Sequence, residues 1–239
     1  MKFLLSLLLA SAVALAQEEA PKHTLRILPL GDPPPFRQEL RGGVRYEIPA
    51  EEGTVPPRQI LLFQNVAEGE KKEEWPLRLR LGTVTPELKV PPPKDGAIMA
   101  KTEAGAPWLR IPLAQGSSTL ALVWRNGKSW DQARVISIPD DTKEGDFRFV
   151  NITAQPMGIM WGQEKLKLNP GAVMVRRMPD AAKVLPMSIL YPAPEGGLQP
   201  CLSTQVERMA GTRQQFVVYA ADGVDPKMPV KVLPLSEQL

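Results

Sequence analysis

Cysteine and histidine are nearly absent: the 239 residues contain one of each. A lone Cys201 excludes an internal disulfide framework. Together with His23 it falls short of the roughly four Cys and His ligands of a structural zinc site. No Gly-x-Ser-x-Gly elbow is present to present a nucleophilic serine. Charge of one sign is also scarce, with 29 Lys and Arg against 26 Asp and Glu and a formal net charge of +3. That balance gives no electrostatic footprint for nucleic acid or an anionic membrane surface. Beyond the N-terminus no uninterrupted apolar run approaches the about 18 residues of a spanning helix, so the mature chain is expected to lack a transmembrane segment.

What is present begins with a leader. Lys2 precedes an apolar run that closes on Ala14-Leu15-Ala16. A positive start, a greasy centre and a small-x-small end read as a signal peptide cleaved after Ala16. The run from Phe3 to Ala16 is shorter than the about 20 residues a bilayer requires. A secreted or periplasmic location is the expectation.

Proline is the other surplus, at 26 residues, about twice its ordinary share of ~5%. Pro33-Pro34-Pro35, Pro56-Pro57 and Pro91-Pro92-Pro93 break helices and belong in connections. Between them run short segments of period two. Examples are Leu25 to Leu28, Val44 to Ile48, Leu77 to Leu81, Arg134 to Ile138, Phe147 to Ile152 and Gln215 to Tyr219. Alternation bounded by Gly, Pro, Asn and Asp indicates β-strands of a sandwich or barrel.

Two stretches resemble each other. Gly116 to Trp124, Asn126-Gly127 and Val135 to Pro139 match Gly211 to Tyr219, Asp222-Gly223 and Val230 to Pro234. Each reads as a strand, a turn with positive φ, and a second strand ending in proline. The opening strands match as well, Leu25-Arg26-Ile27 with Phe147-Arg148-Phe149, while Val44 to Ile48 aligns loosely with Lys165 to Leu168. The expected fold is all-β: two tandem β-sandwich (immunoglobulin-like) modules after a cleaved signal peptide. Residues 1–16 form the leader, 24–140 the first module with an insertion near 65–105, and 145–239 the second. A single sandwich built from all the strands is the alternative.

Residues with chemical potential are few. Cys201 lies between Pro200 and Leu202 without a basic neighbour, so nothing lowers its thiol pKa and a buried, inert thiol is expected. A disulfide-linked dimer and a reactive site are the alternatives. His23 is expected at the surface near the start of the mature chain. Asp140-Asp141 is the obvious carboxylate pair, but adjacent residues of an extended linker point in opposite directions, which does not suit acid–base work. Asn151-Ile152-Thr153 is a glycosylation sequon, meaningful in a eukaryotic secretory pathway. Trp75, Trp130 and Trp161 fall at strand ends or near turns. Rings there either pack the sandwich edge or form a rim that contacts a protein partner or a sugar face.

Phe147 to Thr153, followed by Leu166 to Gly171, resembles the opening of small exported bacterial β-sandwich modules. These include the periplasmic accessory proteins of alginate acetylation and related uncharacterised secreted proteins. The resemblance implies a non-catalytic exported sandwich and carries over no functional residue. The expected function is therefore an exported, non-enzymatic binding or structural protein of the cell envelope, working by protein–protein contact without a cofactor. The alternative is a carbohydrate-binding module using exposed tryptophans.

Overall fold

A computed structural model describes residues 22–51, 53–65 and 73–239. The leader and its cleavage point at Ala16 lie outside the described residues, as do residues 66–72 of the 65–105 segment. The described residues hold no helix. The first half contributes β1 (His23–Leu30), β2 (Arg37–Arg41), β3 (Val44–Ile48), β4 (Gln59–Phe63), β5 (Glu74–Arg78), β6 (Leu88–Val90), β7 (Ala97–Thr102), β8 (Pro107–Pro112), β9 (Ser118–Asn126) and β10 (Ser129–Pro139). These form a sheet of order β10-β9-β1-β6, a second of order β5-β4-β7-β8, and the separate hairpin β2-β3.

The second half contributes β11 (Asp146–Asn151), β12 (Met157–Trp161), β13 (Glu164–Leu168), β14 (Val173–Arg177), β15 (Val184–Pro192), β16 (Leu198–Glu207), β17 (Thr212–Ala220) and β18 (Val230–Gln238). Its sheets run β14-β11-β17-β18 and β13-β12-β15-β16. Taken in chain order, strand for strand, the two halves have the same topology. In both, the opening strand lies parallel to the penultimate one, β1 on β9 and β11 on β17. The two-layer sandwich is the expected architecture. Its connectivity differs from the ABED and CFG sheets of immunoglobulin constant domains.

The repeat also corrects two expectations. Strands β5, β6 and β7 within 65–105 have counterparts in β13, β14 and β15, so that stretch belongs to the common plan. The element without a counterpart is the hairpin β2-β3. It follows that Val44 to Ile48 does not correspond to Lys165 to Leu168, whose counterpart is β5.

The central strands are apolar on both faces, and this explains how the halves join. In β1, Leu25 and Ile27 enter a core with Ile60, Leu62, Ile98 and Val123. In β11, Phe147 and Phe149 enter the other core with Ile159, Ile189, Phe216 and Val218. The alternate residues Leu28, Leu30, Leu120 and Leu122 instead meet Val150 and Val217 in a third cluster between the halves. Side chains of a strand alternate between its faces, so each inner sheet serves a sandwich on one side and the junction on the other. The result is four stacked layers. Each fully buried Leu or Val at the junction contributes roughly 1.5–3 kcal/mol.

A polar clamp closes one end of this junction. Arg26 and Arg148, equivalent positions in the repeat, both reach Asp140, which ends the first sandwich. Arg26 Nε donates to Asp140 Oδ2 at 2.7 Å and Nη1 to Glu237 Oε1 at 2.5 Å. Arg148 Nη2 lies 3.2 Å from Asp140 Oδ1, and Arg213 Nη2 3.1 Å from the same oxygen. Three guanidiniums thus share two carboxylates. Arg148, only 1% exposed, also donates to Gln215 and to the Pro139 carbonyl.

Burial by itself would raise the Glu237 carboxyl, but the hydrogen bond and charge of Arg26, with Arg213 and Gln215, bring it below its ordinary 4.5. His23 is not at the surface as expected. It opens β1, is buried, and its Nε2 lies 2.7 Å from Thr119 Oγ1. Burial lowers its pKa below 6.5, against a backbone hydrogen bond to Gly116 that raises it.

Both groups have folded pKa values below their unfolded ones, so the unfolded chain binds more protons in both windows. Glu237 contributes stability that is complete above 4.5 and lost as pH falls through its folded value. His23 costs stability as pH falls from 6.5 through its folded value. The urea midpoint is therefore expected to decline from about pH 6.5 downward and to fall further below about 4.5. A midpoint that rises on acidification contradicts this assignment.

Candidate functional site

The tryptophans singled out in the sequence do not form a surface rim. Trp130 is 2% exposed, and its carbonyl accepts the Trp108 indole N–H at 2.7 Å. Trp161 is 4% exposed, with its ring 5.1 Å from Phe147 and 5.8 Å from Phe149. Trp75 is half-buried against the first core. Each ring is edge packing, the alternative already open in the sequence. Cys201 is half-buried on β16, donates to the Ile189 carbonyl at 3.3 Å, and has its thiol pKa pushed up by burial against two backbone hydrogen bonds. Asp140 is occupied by three arginines, while Asp141 is exposed.

Asn151 of the sequon is fully buried. Its amide donates to the Gln155 and Leu168 carbonyls at 2.8 and 3.1 Å, and its Oδ1 accepts from Thr153. It organises the corner between β11 and β12 and has no face for a glycan. The motif that carried the resemblance is thus a structural corner. Among the described residues, no group of three or more His, Cys, Asp or Glu side chains is placed to hold a metal ion.

The surface feature that stands out is the hairpin β2-β3. Arg37 to Arg41 pairs with Val44 to Ile48 around the two-residue loop Gly42-Gly43. Both glycines have positive φ, +56° and +81°. This is the geometry of a type I′ turn, which matches strand twist and disfavours any residue with a Cβ. Every residue of β3 and four of five in β2 are exposed. One face carries Val44, Tyr46 and Ile48 beside Arg37, Glu39 and Arg41, and the Arg41 guanidinium stacks 5.9 Å from the Tyr46 ring centre. The other carries Leu40, 68% exposed, with Arg45 and Glu47, and Phe36 just before β2 is 69% exposed.

An isolated two-stranded hairpin is marginally stable in water, so its root has to be held. Asp32, directly before Pro33-Pro34-Pro35, provides the hold. Its backbone N–H donates to Asp222 Oδ1 at 2.6 Å. Its own Oδ2 accepts from the N–H groups of Asp222 and Gly223 at 3.1 and 2.8 Å, and Lys231 Nζ donates to Oδ1 at 2.7 Å. Arg125 Nε donates to Asp222 Oδ2 at 2.5 Å.

Burial would raise the Asp32 carboxyl, but the Lys231 ammonium and the two backbone donors bring it below its ordinary range. Nearby Tyr219 is pushed up to about 12 by burial and by the charges of Asp32 and Asp222. A Cβ on Gly223 would sit 2.9 Å from Asp32 Oδ2, so this loop requires glycine. A small groove of ≈ 130 Å³ opens beside the root, lined by Pro34, Pro35, Arg37, Ile48, Arg125 and the exposed Val224.

Fold and site together define an all-β tandem sandwich that presents the hairpin β2-β3 from a four-layer body. Among the described residues no helix is long and apolar enough to cross a membrane. No protein-family model matches the chain, and no curated protein matches it. Among solved structures, it is similar to a DUF3823 family protein from Bacteroides ovatus ATCC 8483, at 14% identity over 78% of this chain and 99% of that one, with a TM-score of 0.21. A likeness at that score carries no functional argument. The narrower resemblance to alginate-acetylation accessory modules has no counterpart in these comparisons.

Proposed function

We propose that the chain is an exported, non-enzymatic binding or structural protein of the cell envelope, acting by protein–protein contact at the hairpin β2-β3. The observation that carries this reading is the hairpin itself. Among the described residues it is the one element the duplicated plan does not require, and it exposes Val44, Tyr46 and Ile48 on one face and Leu40 on the other, with Phe36 exposed just before it. Clustered exposed apolar residues rimmed by charge mark interaction sites. Export rests on the leader pattern ending at Ala16. A binding role without chemistry accords with the occlusion of Asp140 and the burial of His23.

Two outcomes test this. Replacing Arg37 to Ile48 by a short Gly-Ser link should leave the unfolding free energy within about 0.5 kcal/mol, since the hairpin lies outside the three cores. A photo-crosslinking residue at Tyr46 should form discrete protein adducts in envelope fractions, and the same residue at exposed Glu164 should not. Equal labelling at both positions, or none at Tyr46 beside strong binding on a glycan array, would overturn the proposal.

A further inference from the structure

The free edge of β3 carries a charge pattern that is complementary to itself. Resting on the reading that this hairpin is a contact surface, we propose that β3 pairs antiparallel with β3 of a second copy of this chain, centred on Tyr46. In a two-residue hairpin the residues flanking the loop form a hydrogen-bonded pair, and such pairs recur at every second position. Here Arg41 with Val44, Glu39 with Tyr46 and Arg37 with Ile48 are therefore the bonded pairs. The N–H and C=O groups of Arg45 and Glu47 consequently point away from β2, along an edge with no strand neighbour among the described residues.

A two-fold axis at Tyr46 sets Arg45 opposite Glu47 of the second copy and Glu47 opposite its Arg45. These are the residues whose outward backbone groups form the new ladder, so bond phase and charge agree. The same axis sets Val44 against Ile48 and Tyr46 against Tyr46. The strand Val44-Arg45-Tyr46-Glu47-Ile48 is thus complementary to itself. Opposite charges directly across a sheet stabilise pairing, and like charges oppose it.

Shifting the axis destroys the match. Centred on residue 45 it sets Arg45 on Arg45, and centred on 47 it sets Glu47 on Glu47. On the edge of β2 an axis at Glu39 sets Glu39 on Glu39 and Arg37 on Arg41, while axes at Gln38 or Leu40 set Glu39 against Arg37 or Arg41. Gly42-Gly43 at one end and Pro49 at the other, which lacks an N–H, confine the pairing to this strand. So short a contact falls below the ~1,000 Å² of a stable interface and describes a weak, reversible dimer.

Sedimentation velocity on the full mature chain from about 1 μM to about 1 mM tests it. The wild type should dimerise reversibly. Arg45→Glu and Glu47→Arg should each weaken dimerisation at least about tenfold, since each turns both charge pairs repulsive. An equimolar mixture of the two should recover a heterodimer, and the double variant R45E/E47R should recover the homodimer. Both positions, Arg45 and Glu47, are exposed, so folding is not at stake.

A wild type that stays monomeric throughout, or an Arg45→Glu variant that dimerises as tightly as the wild type, overturns the proposal. Adducts from position 46 to an envelope protein with a monomeric wild type would remove self-pairing and leave the contact role standing. A dimer that persists in a variant lacking β2-β3, together with no envelope contact from position 46 in the full chain, would remove both.

Discussion

Asp140→Ala is expected to lower the unfolding free energy by about 3–5 kcal/mol. The carboxylate takes hydrogen bonds or ion pairs from Arg26, Arg148 and Arg213 at 2.6 to 3.2 Å. Without it, Glu237 alone faces three guanidiniums, one of which, Arg148, has no access to water. Removing one side of a buried ion pair leaves an uncompensated charge, and that cost exceeds whatever the intact pair contributes. Asp141→Ala, one residue on and exposed, is the internal control and should stay within about 0.5 kcal/mol. Urea unfolding of both variants at neutral pH decides the point. A loss below about 1 kcal/mol for Asp140→Ala would mean the cluster is solvated and does not clamp the junction.

Phe149→Ala is expected to cost about 3–5 kcal/mol by a different route. Its ring stacks 5.3 Å from Phe216 at 15° and meets Trp161 edge-on at 5.8 Å and 82°. Truncation removes the transfer free energy of a fully buried ring and both aromatic contacts, and leaves a cavity between two sheets that cannot easily collapse. The expected result is a lower urea midpoint with an unchanged slope, accompanied by a change in near-ultraviolet ellipticity from Trp161. Phe216→Ala, in the same stack at 4% exposure, should be non-additive with it, because neighbours share the lost contacts. Full additivity would contradict the packing described.

Much of the fold was legible because alternation reports burial directly. Val44 to Ile48 is readable to the residue, and the shared pattern of Gly116 to Trp124 and Gly211 to Tyr219 reports the duplication. The strands that carry no clear alternation have physical reasons for lacking it. β16 is a mostly exposed edge, so Gln199, Ser203 and Gln205 leave no apolar row. β7 uses Ala97 and Ala100 at buried positions, and alanine carries little strand preference. β2 is charged along its length because neither of its faces is covered.

The site was harder to read. Tryptophans near turns suggested a rim, yet in a four-layer stack a strand end is often interior, and all three rings served packing. The clue to the hairpin was Gly42-Gly43 between two charged, alternating segments, a strong turn signal that counts only when both flanks are read as strands. The clamp needed tertiary contact: Arg26, Asp140, Arg148 and Glu237 are adjacent only after both sandwiches form and dock.

The central claim is that two equivalent sandwiches are joined through their inner sheets into one body that holds up an uncovered hairpin. Native-state hydrogen exchange read by mass spectrometry tests it most directly. Amides of β1, β9, β11 and β17 should form one slowest class across both halves, while those of β2 and β3 exchange far faster. Two separate slow classes, one for β1 with β9 and another for β11 with β17, or a hairpin as protected as β9, would contradict it.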